Sequence, residues 1–257
     1  MISRQMLYLL IDGDMVCFRV CASVEHEIEW GNDIWTLHVD LNEAKERFET
    51  IMDTIIKDAL DAHKYSGDFM VTFCFSDYMN FRRRILPTYK ANRVGKRKPV
   101  GYKALVSWVK DTYTTMTKPT LEADDCMGIL ATKPMCRDNC IIVSGDKDLL
   151  CIPGYHWDFI RKEYIYSSEA DAMRHFYMQT LMGDSTDGYS GCPKVGKVTA
   201  KRILDKDCSW DAVKEAYEKA GLSEDVALTQ ARVAKILTID DIDKEGNVIL
   251  WKPTEAH

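Results

Sequence analysis

Three apolar segments of the chain each end on an aspartate, and this feature constrains the fold more than any other. The segments are LYLLID at residues 7–12, DFMVTFCFSD at residues 68–77 and CIIVSGDKD at residues 140–148. Continuous apolar runs of this length are typical of strands that are buried on both faces of a parallel sheet. Because ligands of such sheets bind outside the carboxyl ends of the strands, we expect the aspartates to surround one site.

The segments between these strands have the periodicity of amphipathic helices. Apolar residues recur at helical spacing through residues 41–64, and Asp40 or Asn42 is the expected N-cap. Alternating strands and helices predict an α/β fold, in which a central, mainly parallel sheet is flanked by helices over residues 1–175. The later patterns are helical, so residues 176–257 are expected to form a helical region on the same body. Its tail, NVILWKP, predicts one short strand.

Length and composition narrow the class of protein. At 257 residues, with 46% hydrophobic and 29% charged residues, the chain is long enough for a core of ordinary size. No apolar run approaches the about 18 residues that span a bilayer, and no signal-peptide cleavage site follows the first apolar run. We therefore expect a cytoplasmic protein without a membrane segment. The nine cysteines lack a matching pair of histidines, which favours free thiols over a zinc site.

Nine carboxylates stand at or near the ends of predicted strands and helices. One such residue alone is more often a helix cap or a solvated charge, but several in one cleft raise each other's pKa values. Without His or Cys ligands nearby, the natural counter-ion is a hard cation, Mg²⁺ or Mn²⁺, and an all-oxygen site suits two ions about 4 Å apart. The candidate metal ligands are Asp12, Asp77, Glu122, Asp124, Asp125, Asp146, Asp148, Asp184 and Asp187.

The positive charge of the chain is concentrated in one place. Residues 82–110 contain ten Lys or Arg and no Asp or Glu, although the formal net charge of the whole chain is −6. Such a cluster attracts nucleic-acid phosphates without reading sequence, and Tyr89 offers an aromatic face to a base. Prolines and glycines interrupt any helix, so residues 82–103 predict a mobile basic loop or short arch over the metal cleft. A solvated loop and a nuclear localisation patch are the alternatives. The candidate DNA contacts are Arg82, Arg83, Arg84, Tyr89, Lys90, Arg93, Lys96, Arg97 and Lys98.

A glycine-rich turn, GYSGCPKVGKVTAKRIL at residues 188–204, is a second candidate phosphate site. Its glycines and proline predict a tight turn before a helix, and backbone N–H groups at a helix N-terminus bind phosphate independently of sequence. A turn that merely joins two helices is the plainer alternative. The candidate duplex contacts are Lys194, Gly196, Lys197, Thr199 and Lys201.

Eight short stretches, taken together, resemble a known superfamily. They are IDGD, FSD, YKANR, KPVGY, LEADDCMG, SGDKDL, GDSTDGYSG and KVGKVTAKRIL. They run in order from Asp12 to about Leu204 and resemble the 5′ nuclease superfamily, which includes flap endonucleases and the 5′ nuclease domains of bacterial DNA polymerases. The chain is most similar to the 5′→3′ exonucleases of short-tailed bacteriophages. The resemblance implies a PIN-like nuclease core followed by a helical DNA-binding region.

The resemblance also implies roles for individual residues. The acids from Asp12 to Asp125 would hold the ion that activates the attacking water, and those from Asp146 to Asp187 would place or tune a second ion. Asp124 and Asp146 are the acids expected to be catalytic. Lys90 and Arg93 would grip the scissile phosphate, with Tyr89 stacking near the unpaired end.

Two positions depart from the family pattern. The glycine turn would be a helix–hairpin–helix-type element, which often binds duplex backbone through a K⁺ ion. Lys194 stands where the first glycine of that turn is usual, so the expectation of a K⁺ site is open. Asp14 stands where relatives often have a small polar residue; it is an extra outer-shell acid or a helix cap, and the cap is the favoured expectation.

The expected function is two-metal hydrolysis of duplex DNA from a 5′ end or flap, which gives 5′-phosphate mononucleotides or short pieces. RNA–DNA hybrids, RNA primers and replication proteins are further expected substrates and partners, and the chain is expected to be a monomer acting in the cytoplasm of an infected bacterium. One alternative is a PIN-like ribonuclease, against which the glycine turn and basic segment argue. A second is a non-catalytic, structure-selective DNA-binding protein, which should lack a key acid. A third is a phosphatase-like hydrolase with a small substrate, for which the basic segment is too extensive.

Overall fold

A computed structural model describes residues 6–253 of the chain. Its strands are β1 (Leu7–Asp12), β2 (His26–Glu29), β3 (Trp35–His38), β4 (Phe69–Cys74), β5 (Thr115–Met116), β6 (Cys140–Val143), β7 (Gly154–Asp158) and β8 (Glu163–Ser167). Its α-helices are α1 (Gly13–Ser23), α2 (Leu41–Ala62), α3 (Arg82–Ile85), α4 (Tyr102–Thr112), α5 (Ala123–Ala131), α6 (Glu169–Met182), α7 (Lys197–Lys206), α8 (Trp210–Lys219) and α9 (Glu224–Ala234). Short 3₁₀ helices cover Ala91–Arg93, Lys147–Cys151 and Ile239–Asp241.

The central sheet has six strands in the order β5-β4-β1-β6-β7-β8, and only β8 runs antiparallel to its neighbour. The three apolar segments that end on aspartate form its middle strands, β4, β1 and β6. Asp12 at the end of β1 is in register with Cys74 at the end of β4. The predicted mainly parallel sheet is therefore confirmed, and the loops that carry the acids emerge from one edge. Strands β2 and β3 form a separate hairpin.

Helices cover both faces of the sheet. On β1, Leu9 and Ile11 are buried in a cluster with residues of α1, α2 and α4, whereas Leu10 points to the opposite face and joins α5. This alternation follows from the period of two along a strand. Asp40 is the N-cap of α2, since its carboxylate accepts a hydrogen bond from the backbone N–H of Asn42 at 2.8 Å.

The helical region continues directly from the nuclease-like core. Helix α6 spans the boundary expected at residue 175, and α6 to α9 share a buried cluster with Leu10 and α5. The predicted strand in NVILWKP is wrong, because only an isolated bridge joins Ile242 and Val248 there. No helix within residues 6–253 is both long enough and apolar enough to cross a membrane. All nine cysteines are free thiols, and Cys208 alone is exposed.

Candidate active site

The carboxyl edge of the sheet opens into a cleft of about 650 Å³. Acidic and basic side chains both line it. The acids that line it are Asp12, Asp14, Glu122, Asp124, Asp146, Asp148 and Asp187. The bases that line it are Arg82, Lys90, Arg93, Lys96, Arg97 and Lys98. The parallel strands therefore bring acids from distant parts of the sequence together, as their position after strand ends predicts.

The first group of acids comprises Asp12, Asp124 and Asp146. Asp12 accepts hydrogen bonds from the Met15 N–H and from the Ser144 hydroxyl, each at 2.9 Å. Burial nevertheless raises the pKa of Asp12 to about 7, and the charges of neighbouring aspartates add to the rise. Burial, followed by the charges of Asp12 and Asp146, raises the pKa of Asp124 well above its ordinary value. The repulsion that Asp12 and Asp146 exert on Asp124 favours a cation near these carboxylates.

The second group comprises Asp148, Asp184 and Asp187. One carboxylate oxygen from each lies within 4.8 Å of the others, which is close enough for one ion. Burial raises the pKa of Asp148 to about 7, and the charges of Asp146, Asp184 and Asp187 raise it further. Asp146 thus acts electrostatically on both groups, because its charge raises the pKa of Asp124 and of Asp148.

The surroundings of the Gln179 side chain show whether a hydrated ion fits this second group. Its side chain is 8% exposed and hydrogen-bonds to Asp148. Its Oε1 has no hydrogen-bond partner among the described residues. Such orphan acceptors are rare in protein interiors, and a water molecule on a nearby hard cation would satisfy one. The oxygen-only donors and the orphan acceptor together fit a hydrated divalent ion.

Glu122 is the N-cap of α5, and its carboxylate contacts basic side chains that line the cleft. It accepts hydrogen bonds from the Tyr89 hydroxyl at 2.7 Å and from the Lys90 ammonium, and Arg82 lies 3.2 Å away. Burial alone would raise the pKa of Glu122, but the charges of Lys90 and Arg82 lower it to about 2. Glu122 is therefore ionised and already paired with cations, unlike Asp12 and Asp124.

Asp125 and Arg82 form a buried ion pair, which contradicts their predicted roles as metal ligand and DNA contact. Asp125 is fully buried and accepts two 2.7 Å hydrogen bonds from the Arg82 guanidinium. The Leu237 N–H also donates to Asp125, and Arg82 donates to the Val233 carbonyl at 2.9 Å. The pair ties the basic segment, α5 and the end of α9 together, and Asp125 does not reach the cleft.

Neither Asp77 nor Asp14 lies where the sequence predicts it. The Asp77 carboxylate accepts a 2.7 Å hydrogen bond from the Thr120 N–H and does not line the cleft, so the structure does not place it as a metal ligand. Asp14 lines the cleft, where it accepts hydrogen bonds from the Ser76 N–H at 2.8 Å and from the Tyr102 hydroxyl at 2.7 Å. The expectation that Asp14 caps a helix is wrong, because Asp12 is the N-cap of α1.

Tyr89 and Lys90 form the base of the basic segment. Tyr89 is buried, and its hydroxyl donates to Glu122 and to Asp187, so its predicted stacking on a base is wrong. The Lys90 ammonium bridges Glu122 and Asp187. Burial alone would lower the pKa of Lys90, but these two carboxylates raise it, and the side chain stays charged. Arg93 is half-exposed and donates to Asp187 at 2.6 Å.

Hydrogen bonds fix this base to the loop that carries the second acid group. The Lys90 N–H donates to the Asp187 carbonyl at 2.7 Å, and the Asn92 amide donates to the carbonyls of Ser185 and Thr186. Further along, Arg97 pairs with Glu25 at 2.6 and 2.8 Å, and the Lys98 ammonium lies 4.0 Å from the centre of the Tyr102 ring. Exposed along the segment are Arg83, Arg84, Lys96, Arg97 and Lys98.

The glycine turn begins at the cleft, which Tyr189 lines, and its basic part, from Lys194 onward, lies on the helical region. Lys194 has a φ of +62°, so the lysine adopts the left-handed conformation that a glycine would provide. Gly196 is the N-cap of α7, and the side chains of Lys194, Lys197 and Lys201 are exposed. Sequence reasoning missed Arg202 and Lys219, which line a groove beside this turn together with Lys194. Arg202 directly follows Lys201 in α7 and could have been found with it, whereas Lys219 ends α8 and reaches the groove only through tertiary packing.

Comparison with known proteins agrees with this architecture. The family model described as "5'-3' exonuclease, N-terminal resolvase-like domain" matches residues 7–177. The chain belongs to the 5′-3′ exonuclease family. Its resemblance to 5′ nucleases, expected from eight short stretches, is confirmed. Family membership supports a 5′-3′ nuclease activity.

Two phage members of the 5′-3′ exonuclease family match almost the whole chain. The exodeoxyribonuclease of Enterobacteria phage T3 is 31% identical over 286 residues, which covers 95% of this chain and 92% of that protein. The exonuclease of Escherichia phage T7 is 29% identical and covers 95% of this chain and 93% of that protein.

Solved structures share the fold of the chain. The T5 D15 protein co-crystallised with metal ions has a TM-score of 0.62 at 17% identity and covers 89% of both chains. Flap endonuclease-1 from Methanococcus jannaschii has a TM-score of 0.54 at 13% identity and covers 97% of this chain and 83% of that one. The α/β architecture of this family member is thus confirmed by proteins of low sequence identity.

Proposed function

We propose that the chain is a metal-dependent 5′→3′ exonuclease that hydrolyses duplex DNA from a 5′ end and leaves 5′-phosphate mononucleotides or short pieces. One observation carries the proposal: a metal-sized group of carboxylates, further repelling aspartates and a set of Lys and Arg side chains come together at one cleft. Carboxylates alone would repel a polyanion, whereas carboxylates that hold cations beside Lys and Arg bind and activate a phosphate ester. Flaps and RNA primers are further candidate substrates, and the chain is proposed to act as a monomer.

Two Mg²⁺ or Mn²⁺ ions fit the donor set. The side chains proposed to hold them are Asp12, Asp124, Asp146, Asp148, Asp184 and Asp187. When bound, such ions stabilise negative charge on the phosphate oxygens and lower the pKa of water. Asp12 and Asp148 have pKa values raised to about 7, so protons compete with cations for these carboxylates near neutral pH.

Lys90 and Arg93 are proposed to bind the scissile phosphate. Both line the same cleft as the acids, and Lys90 is held charged by Glu122 and Asp187. Their N–H groups can donate to non-bridging phosphate oxygens and offset charge as the phosphate ester is attacked. We expect Lys90→Ala to lower the single-turnover cleavage rate by more than tenfold. An unchanged rate would remove Lys90 from the catalytic residues.

The exposed lysines at the glycine turn are proposed to hold the duplex. The N-terminus of α7 and the side chains of Lys194, Lys197 and Lys201 offer donors for backbone phosphates. Binding of this kind is independent of sequence and weakens as salt concentration rises. With duplex held there and the 5′ end in the cleft, cleavage would proceed in one direction. The left-handed Lys194 places an ammonium group at the turn, which makes K⁺ dispensable in this proposal.

A digestion assay tests the proposal. Duplex DNA labelled at its 5′ end is incubated with Mg²⁺ or with a chelator, beside RNA–DNA hybrid and single-stranded RNA. We expect chelator-sensitive release of short 5′-phosphate products from DNA, and loss of cleavage but not of DNA binding in Asp124→Asn and Asp146→Asn. Full activity of either variant at saturating Mg²⁺ would contradict the proposal, and preference for single-stranded RNA would indicate a ribonuclease.

A further inference from the structure

An exposed aromatic side chain stands on a turn beside the cleft and has no role in the proposed reaction. Tyr78 is 93% exposed, and its neighbour Met79 is 54% exposed. The turn joins β4 to α3, between Ser76 and Arg82, both of which line the cleft. Tyr78 therefore lies at the rim of the cleft and on its outer side.

The backbone of this turn is fixed. The Asp77 carboxylate accepts from the Thr120 N–H at 2.7 Å, and the Asp77 N–H donates to the Leu121 carbonyl at 2.8 Å. At the other end, the Phe81 N–H donates to the Thr120 carbonyl at 3.0 Å. Asp77, which the sequence predicts to bind metal, thus anchors the turn. Tyr78 is presented to solvent by a rigid support, so little entropy is lost when its ring binds a partner.

Basic side chains lie near the same turn. Arg83 and Arg84 are exposed at the start of α3, a few residues after Tyr78. The Lys110 ammonium from α4 lies 5.2 Å from the centre of the Phe75 ring, at the base of the turn. The one carboxylate within the turn, Asp77, is bonded to backbone amides. An exposed aromatic ring a few residues from two exposed guanidinium groups is the chemistry that binds a single-stranded nucleic acid.

We infer that Tyr78, Arg83 and Arg84 form a binding site for an unpaired segment of a DNA strand that extends beyond the cleft. The Tyr78 ring stacks on one base, and the two guanidinium groups bind the flanking phosphates. The site rests on the proposed function for the identity of its ligand, but it lies outside the catalytic cleft. It adds affinity for substrates with a single-stranded 5′ extension over blunt duplexes.

Equilibrium binding tests this inference in the absence of cleavage. Fluorescence anisotropy with a chelator present compares a blunt duplex with the same duplex carrying a 5′ single-stranded extension. We expect Tyr78→Ala to weaken binding of the extended duplex about 5- to 150-fold, as loss of one stacked base predicts, and to leave blunt-duplex binding unchanged. Tyr78→Phe, which keeps the ring, should bind like the wild type.

Two further variants make the test specific. Met79→Ala removes the adjacent exposed side chain without removing a ring and should have no effect. A variant with both Arg83→Ala and Arg84→Ala should weaken binding of the extended duplex and reduce its salt dependence by about two released counter-ions. All three positions are exposed, so melting temperatures should not change.

The possible failures are distinguishable. If Tyr78→Ala binds both duplexes like the wild type, or if Met79→Ala loses as much affinity as Tyr78→Ala, the inferred site is wrong. If Tyr78→Phe loses as much affinity as Tyr78→Ala, the stacking role is wrong. Wild-type cleavage with Mg²⁺ is measured separately, and its absence would overturn the proposed nuclease function rather than this binding site.

Discussion

Replacing Asp125 by Asn should damage the fold, whereas replacing its neighbour Asp124 should damage only the chemistry. Asp125 is fully buried and receives two hydrogen bonds from Arg82, one from the Leu237 N–H and one from the Glu122 N–H. Arg82 is 2% exposed, so its guanidinium is largely desolvated. An asparagine would leave the buried guanidinium with only the more distant Glu122 carboxylate, at 3.2 Å, as counter-charge and would turn an amide N–H₂ group toward donors.

The magnitude follows from this burial. Removing one partner of a buried, hydrogen-bonded ion pair costs about 3–5 kcal/mol, because the remaining charge stays desolvated. A folded domain of this kind has a total stability of about 5–15 kcal/mol, so the loss is a large fraction of it. The midpoint of denaturant unfolding should fall accordingly, with the slope of the transition unchanged.

Asp124 supplies the matched control. It is adjacent in sequence, but burial and the charges of Asp12 and Asp146 raise its pKa, so its carboxylate is destabilising when ionised without a cation. Asp124→Asn should therefore unfold at the same or a higher urea concentration than the wild type in a chelator, while cleavage is lost. Equal stabilities of the Asp124→Asn and Asp125→Asn variants would refute this assignment of structural and catalytic acids.

Three further predictions follow from single side chains. In the folded protein the pKa of Asp12 is raised from 3.8 to about 7, so its stabilising contribution is present at low pH and is lost as pH rises. Without metal, the stability of the wild type relative to Asp12→Asn should therefore fall between about pH 4 and pH 8. Thermal unfolding of both proteins across this range measures the difference. Gln179→Leu should weaken Mn²⁺ binding by about 10- to 100-fold in calorimetry, because it frees Asp148, and unchanged affinity would contradict this role. Lys194→Gly should keep the melting temperature, since φ is +62° there, yet lower duplex affinity and reduce its salt slope by about 0.9; an unchanged slope would mean that Lys194 contacts no phosphate.

Much of the fold could be predicted because the relevant signals are local. Apolar runs that end on Asp12 and just before Asp146 are strands in the structure, and they deliver acids to one edge because parallel strands must share that edge. The helical patterns after residue 168 are likewise helices. Residue type and position after a strand were sufficient for Asp12, Asp146 and Asp148, but not for Asp77, which follows β4 and does not line the cleft.

The failures concern which way a charged side chain points. A run of three arginines is uniformly basic in sequence, yet in the single turn of α3 Arg82 faces inward while Arg83 and Arg84 face solvent. Asp125 occupies the inward face of α5 and meets Arg82 there. Such pairing depends on two segments 43 residues apart packing together, which no local pattern encodes. Tyr89 was misassigned for the same reason, because its hydroxyl has buried acceptors that only the tertiary structure provides.

The Asp187 carboxylate contacts both the second group of acids and the basic segment, and it therefore couples metal binding to phosphate binding. Its carboxylate belongs to the group with Asp148 and Asp184. One of its oxygens lies 2.6 Å from a guanidinium nitrogen of Arg93, and the other lies 3.4 Å from the Lys90 ammonium. A carboxylate has a limited number of acceptor sites, so a cation in that group competes with Lys90 and Arg93 for the same oxygens. A metal ion that binds Asp187 would break its ion pairs with Lys90 and Arg93, and these two side chains could then bind a phosphate. A phosphate that binds Lys90 and Arg93 would likewise leave the Asp187 carboxylate available to a metal ion. Because each step favours the other, metal and substrate should bind this cleft cooperatively, and the acids and bases that oppose each other there form one electrostatic unit.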